Sequence, residues 1–246
     1  MPSTAMVIGA TGGIGGACAR SLHARGWSLL LTGRRADPLA ALAAELDARH
    51  AAGDANDEDL LQRLAGGAES IDMLVHAAGV LEGAPVRDQP VEVFDAVIAA
   101  NLRSAYVAVR ACLPRMSAGA RIVLVSSTSA TRPMRGLSAY SAAKAGMNAF
   151  AGALAAELEP EGINVSLVSP GPVDTAMMGA SVNEFPSLPA SDVGEVVGWL
   201  SELPPRMVVP DVLFRAPLRG PFAKMAGGGG TQGQDLSALR SAKETS

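Results

Sequence analysis

From residue 5 to about residue 170, short apolar runs rich in Val, Ile and Leu alternate with longer Ala-rich stretches of helical period. That alternation constrains the fold more than any other feature of the chain. The apolar runs fall at 5–8, 28–32, 71–76, 121–126, 164–168 and 207–214, with a weaker one at 49–52. The helical stretches occupy 14–25, 38–47, 57–64, 91–116 (with a break), 138–159 and 191–203. The central runs are almost continuously hydrophobic rather than alternating, as strands are when helices cover both faces of a parallel sheet. Repetition of this kind predicts an α/β fold with a doubly wound parallel sheet. No linker interrupts it, so one domain is expected over 1–215.

Composition narrows the function classes. A chain of 246 residues fits one large α/β domain or two small ones, and the missing linker favours one. Hydrophobic residues make up 48% of it but only nine are aromatic, so the core has to be built from Ala, Leu, Val and Ile. A net charge of −4 and a pI near 5.4 argue against a protein that grips nucleic acid. Cys18 and Cys112 make no disulfide framework, and three scattered histidines give no metal-ligand spacing. With no run of about 18 apolar residues, no membrane span is expected. The opening MPSTAMVIGATGG lacks the charged start and long apolar stretch of a signal peptide, so the expected location is the cytoplasm. From Ala216 the chain turns to Pro217, Pro221, a glycine run at 227–230 and a polar end. Such a composition predicts a flexible tail over 216–246, with room for a short helix at 235–243.

The first strand runs directly into Gly9-Ala10-Thr11-Gly12-Gly13-Ile14-Gly15 and then a helix. Strand, glycine turn and helix at the head of an α/β chain suit a dinucleotide pyrophosphate, because glycines admit close backbone approach and the helix start offers free N–H groups. The spacing is GxxxGxG rather than GxGxxG, and a plain tight turn is the competing reading. The second strand ends in Gly33-Arg34-Arg35. An acidic residue there would bind the adenosine ribose hydroxyl of NAD; two guanidinium groups instead suit the 2′-phosphate of NADP. The competing reading is a surface pair in a chain with 17 Arg and only 3 Lys.

Tyr140 and Lys144 stand four apart in a helical stretch, so phenol and ammonium share one helix face. A nearby ammonium favours phenolate and makes the tyrosine a usable proton donor or acceptor. In a chain with two Tyr and three Lys the pair is conspicuous, although a solvated helix pair has the same spacing.

Taken together, GATGGIG at 9–15, HAAG at 76–79, Asn101 in ANL, Ser127 in VSS, YSAAK at 140–144 and PGPVDT at 170–175 resemble the short-chain dehydrogenase/reductase family, whose fold is of the Rossmann type. The similarity covers about residues 4 to 214. It implies that Tyr140 is the general acid for carbonyl reduction and the base for alcohol oxidation. It implies further that Lys144 holds the nicotinamide ribose and lowers the Tyr140 pKa, that Ser127 hydrogen-bonds the substrate oxygen, and that Asn101 anchors a proton relay from Lys144 to solvent. For the cofactor, the resemblance implies a pyrophosphate turn at Gly9, Thr11, Gly13, Ile14 and Gly15. Asp54, after the weak third strand, would meet adenine; Ala77, Ala78 and Gly79 would pass beneath the adenosine; Pro170, Gly171, Val173 and Thr175 would contact the nicotinamide amide. Arg34 is the first candidate for the 2′-phosphate and Arg35 the second.

Some positions depart from the family pattern. Ile8 stands where Thr is frequent, and His76-Ala77 replaces Asn-Asn; His76 reads as a strand end rather than a catalytic group. The segment after Thr175 is short, with Met177, Met178 and Phe185 lending apolar character or simple packing. Arg132 and Arg135, between Ser127 and Tyr140, either meet an acidic substrate or lie on a solvated loop. The helices at 102–116 and 140–159 resemble the pair through which the family forms homodimers and homotetramers. The expected function is an NADP(H)-dependent reductase or dehydrogenase of a small carbonyl/alcohol pair; the alternative is an NADP-binding sensor with little turnover.

Overall fold

The computed structural model describes residues 3–178 and 186–217. Its first strand, β1 (Thr4–Ile8), runs through the glycines into α1 (Gly13–Ala24), and the unit repeats as β2 (Ser28–Gly33), α2 (Ala36–Glu45), β3 (Arg49–Ala52), α3 (Glu58–Ala65) and β4 (Met73–His76). A long helical stretch then comprises α4 (Val91–Ile98), a π-helical turn (Ala99–Arg103) and α5 (Ser104–Cys112), closing with a 3-10 turn at Leu113–Arg115. Next come β5 (Arg121–Val125), a 3-10 turn (Thr128–Ala130), α6 (Ser138–Leu158) and β6 (Asn164–Pro170). The short strands β7 (Val173–Asp174) and β8 (Leu188–Pro189), α7 (Ala190–Glu202) and β9 (Asp211–Phe214) complete the described chain.

Seven strands make one parallel sheet in the order β3-β2-β1-β4-β5-β6-β9. Side chains alternate across a strand, so a sheet covered on both faces needs apolar residues at every position. Met6, Ile8, Leu74, Ile122 and Leu124 pack with α3, α5 and α6 on one face, while Val7, Leu31, Val75 and Val123 pack with α1, α2 and α7 on the other. The small-residue core allows tight layers: a β-carbon on Gly194 of α7 would lie 2.7 Å from the Ala17 carbonyl oxygen of α1. This is the single-domain, doubly wound Rossmann fold that the alternation predicts. Strand order reverses between β1 and β4, and the loops leaving these strands diverge to open a crevice at the C-terminal edge of the sheet.

Several local differences have physical causes. The break expected within 91–116 is the π-helical turn, and the stretch ends early because Pro114 cannot extend a helical ladder. Strand pairing begins at Asp211 rather than residue 207, after a loop through Pro204, Pro205 and Pro210 whose prolines have no N–H to donate. β3 was weak in the sequence because it is a largely exposed edge strand. The α3 start expected at residue 57 is its N-cap: the Asp57 carboxylate accepts from Leu60 N at 3.0 Å. By length and mean hydropathy (1.3) alone, the composite helix Val91–Arg115 is long and apolar enough to cross a membrane. Here it is a core helix, with Val97, Ala105, Ala108 and Cys112 fully buried. Phe185, the tail beyond Pro217 and the helix expected at 235–243 lie outside the described residues.

Candidate active site

The crevice is bordered on one side by the glycine turn. Gly9 has φ +84°, and its N–H and that of Ala10 donate to the Thr32 carbonyl of β2 at 3.0 and 2.9 Å. The turn abuts Ala78 in the loop after β4, while Ala77 N donates to the Ile8 carbonyl at 2.9 Å. Helix α1 starts without a side-chain cap and without an acidic residue in its first turn. Its positive end and free N–H groups around Gly13, Ile14 and Gly15 are therefore left for an external anion, a fit to the pyrophosphate of a dinucleotide. From the far side Pro170, Gly171 and Val173 lead to Thr175, whose Cγ2 would lie 2.6 Å from a β-carbon on Gly13.

Three residues stand at the outer end of the crevice. Arg34 is exposed and makes no hydrogen bond or ion pair among the described residues. Arg35 is also exposed, but its guanidinium donates to the Thr11 carbonyl and so ties β2 to the glycine turn. Asp54 follows β3 with Oδ1 accepting from Asn56 N at 2.7 Å and Nδ2 at 3.0 Å.

Beyond β5, the Ser127 Oγ accepts from Ser129 N at 3.1 Å and stands beside the Tyr140 phenol in the first turn of α6. Burial raises the phenol above its usual pKa, and the neighbouring Ser127 hydroxyl opposes that rise. One turn along α6, Lys144 is 4% exposed, with Nζ donating to the Val125 carbonyl at 2.8 Å and lying 5.7 Å from the Tyr140 ring centroid. Burial pulls its pKa down to about 8. The expected lowering of the Tyr140 pKa by Lys144 does not appear. The ammonium is tethered to β5 and lies against the ring, so desolvation of the phenolate prevails.

Asn101 sits fully buried in the π-helical turn, where its Nδ2 donates to the Val97 and Val80 carbonyls, both at 2.9 Å. Its Oδ1 has no partner and lies against Gly79, at a point where a β-carbon would be 3.9 Å from Lys144 Nζ. Asn101 and Lys144 thus flank Gly79. The fold brings Asn101, Ser127, Tyr140 and Lys144 together at the C-terminal edge of the sheet, next to the glycine turn. Arg132 is exposed, and Arg135 with Arg87 lines an open cleft of about 660 Å³ between the loops that follow β4 and β5.

Several supporting groups escaped the sequence reading. Ser126 Oγ donates to Asn148 Oδ1 at 2.6 Å, bracing the strand end that carries Ser127. His76 is completely buried with Nε2 2.9 Å from Ser104 Oγ. Lys144 is held by a main-chain carbonyl, which no side chain announces. The first two pairs span 22 and 28 residues and become neighbours only through the sheet order.

Comparison with known proteins agrees with this fold. A sequence model of the family described as short chain dehydrogenase matches residues 3–185. An uncharacterised oxidoreductase of Staphylococcus epidermidis is 31% identical over 221 residues, covering 86% of this chain and 96% of that protein. A protein named sulfoacetaldehyde reductase 2, from Chromohalobacter salexigens, is 32% identical over 227 residues, with 83% and 90% covered. A short chain dehydrogenase from Burkholderia cenocepacia, solved in complex with NADP, superposes with a TM-score of 0.80 at 29% identity over 87% of this chain and 96% of that one. The chain belongs to the short-chain dehydrogenase/reductase family of oxidoreductases.

Proposed function

We propose that the chain is an NADP(H)-dependent oxidoreductase that interconverts a small-molecule carbonyl and its alcohol, with Tyr140 as the general acid and base. One observation carries this reading: a buried Lys144 ammonium, held on the Val125 carbonyl, lies 5.7 Å from the Tyr140 ring centroid with Ser127 beside the phenol. When bound, the nicotinamide supplies or accepts the hydride. Ser127 holds the substrate oxygen and stabilises the charge that develops on it. Tyr140, kept protonated at neutral pH by burial, gives its proton to that oxygen in the reductive direction. Lys144 has one N–H committed to Val125 and others to offer the ribose hydroxyls. The unpaired Asn101 Oδ1 is an acceptor for a proton relay from Lys144 towards solvent.

Cofactor choice rests on charge. Two arginines and no carboxylate follow β2, and Arg34 has no protein partner among the described residues. Gly9, Thr11, Gly13, Ile14 and Gly15 would hold the pyrophosphate, Asp54 with Ala77, Ala78 and Gly79 the adenosine, and Pro170, Gly171, Val173 and Thr175 the nicotinamide end. A structural neighbour solved in complex with NADP supports the choice of cofactor, and a relative named sulfoacetaldehyde reductase 2 supports reduction of a carbonyl. A homodimer or homotetramer, assembled through α5 and α6, is part of the proposal; Tyr106 of α5 is 52% exposed and packs on Phe150 of α6.

A panel of carbonyl compounds assayed with NADPH tests this reading. Tyr140→Phe should lower turnover of the best substrate at least about a hundredfold while NADPH binds as before. Unchanged turnover overturns the role of Tyr140. Tight NADPH binding by the unmutated protein with no turnover of any compound favours the sensor alternative.

A further inference from the structure

His76 ends β4 on the sheet face packed by α5 and α6, between Ile8 and Leu124 of the neighbouring strands. Its Nε2 meets Ser104 Oγ at 2.9 Å, and Ser104 Oγ donates in turn to the Ala100 carbonyl at 2.7 Å. A hydroxyl has one proton and a carbonyl can only accept, so the Ser104 proton points at Ala100. His76 is therefore the donor, through Nε2–H, and its Nδ1 carries a lone pair. That Nδ1 is buried and has no partner, as is the Oδ1 of Asn101. Ala100 and Asn101 are adjacent residues of the π-helical turn. The turn is thus fastened twice, to the end of β4 by His76 through Ser104 and to the loop after β4 by the Val80 carbonyl through Asn101 Nδ2.

A π-helical turn, here with Ser104 N donating to the Ala99 carbonyl five residues back, interrupts the α-helical ladder, and such turns concentrate at functional sites. Here the second fastening is the functional side chain itself. The first is made by two wholly buried side chains, His76 and Ser104, and it fixes the carbonyl next to Asn101 in sequence. We propose that His76, acting through the Ser104 hydroxyl, is a positioning residue that fixes the π-helical turn so that the unpaired Oδ1 of Asn101 stays beside Gly79 and Lys144. The inference rests on the reading of Asn101 and Lys144 as active-site residues.

The strut can be measured with and without turnover. His76→Leu and Ser104→Ala should each lower kcat about tenfold, because small misplacement of a reacting group is costly, while KM and the NADPH Kd change less than about twofold. The double variant should be no slower than the worse single one, since both remove the same link. His76→Gln, which places an amide donor near the Nε2 position, should recover most of the rate lost in His76→Leu. In the cofactor-free protein, NMR should show the His76 proton on Nε2, and Ser104→Ala should shift the Asn101 side-chain amide signals. The inference is overturned if folded Ser104→Ala keeps its full kcat and its Asn101 signals do not move, if the two losses multiply, or if Gln rescues no better than Leu. An altered Asn101 signal alongside full activity in Tyr140→Phe would instead place the failure in the catalytic reading, with the strut intact.

Discussion

Gly9 and Ala78 meet backbone to backbone across the crevice: a β-carbon on Gly9 would come within 2.7 Å of both the N and Cα of Ala78. Gly9 also has φ +84°, a region that favours glycine. Both constraints fall on one residue because two parallel strands that diverge into separate loops are in contact there. Gly9→Ala should therefore cost about 2–4 kcal/mol, from strain plus a backbone clash that no rotamer relieves. Thermal unfolding should show a fall in Tm of about 5–10 °C, with weakened NADPH binding. An unshifted Tm would mean that the turn can relax away from Ala78.

Lys144 sets function against stability. Burial lowers its pKa from 10.5 to about 8, so below pH 8 the fold bears the cost of a desolvated ammonium, up to about 3 kcal/mol. That cost shrinks between pH 8 and 10.5 and is gone above. Lys144→Met should be about 1–2 kcal/mol more stable than the unmutated protein at pH 7, the loss of the donor to Val125 offsetting part of the gain. Urea unfolding at pH 7 and pH 10 checks both the sign and the narrowing of the margin.

His76 predicts sensitivity to acid. Burial first, and the Lys144 charge second, lower its pKa from 6.5 to about 3. Below pH 6.5 the unfolded chain takes up a proton that the folded one refuses, so this contribution is complete above pH 6.5 and is lost as pH falls towards 3. By pH 4.5 the loss amounts to about 2–3 kcal/mol. His76→Leu should lose that much less stability than the unmutated protein between pH 7 and pH 4.5; parallel losses by urea unfolding would contradict a buried neutral imidazole.

The two arginines after β2 should separate. Arg34→Ala should lower the ratio of NADPH to NADH affinity at least about tenfold, the worth of a charge-assisted phosphate contact. Arg35 is already committed to the Thr11 carbonyl, so Arg35→Ala should change the ratio less and weaken both nucleotides together. Fluorescence titration with each nucleotide decides between them, and equal ratios in all three proteins would remove Arg34 from the phosphate site.

How much was legible varies by position. The cores of the strands and helices were readable to within a few residues because two-residue and 3.6-residue periodicity is local. The edge strand β3 was faint since exposed positions lack the apolar signal, and β7 and β8 went unnoticed because two residues show no period. Tyr140 and Lys144 were paired correctly on one helix face. The electrostatic balance between them was not, because it depends on the Val125 carbonyl that holds the ammonium and on how deeply the phenol is desolvated.

The sequence by itself determined the fold class, the glycine turn at the head of α1, and which residue types stand at the family's motif positions. Strand hydrophobicity, helix period and turn residues are properties of neighbouring amino acids, and they survive without knowledge of the whole. Only the tertiary structure decided that Gly9 presses on Ala78, that His76 reaches Ser104, and that Asn101 and Lys144 flank Gly79. Those contacts join residues brought together by the β1-β4-β5 strand order, and several use main-chain carbonyls. A carbonyl is the same at every residue, so nothing in the sequence marks the one that will be used.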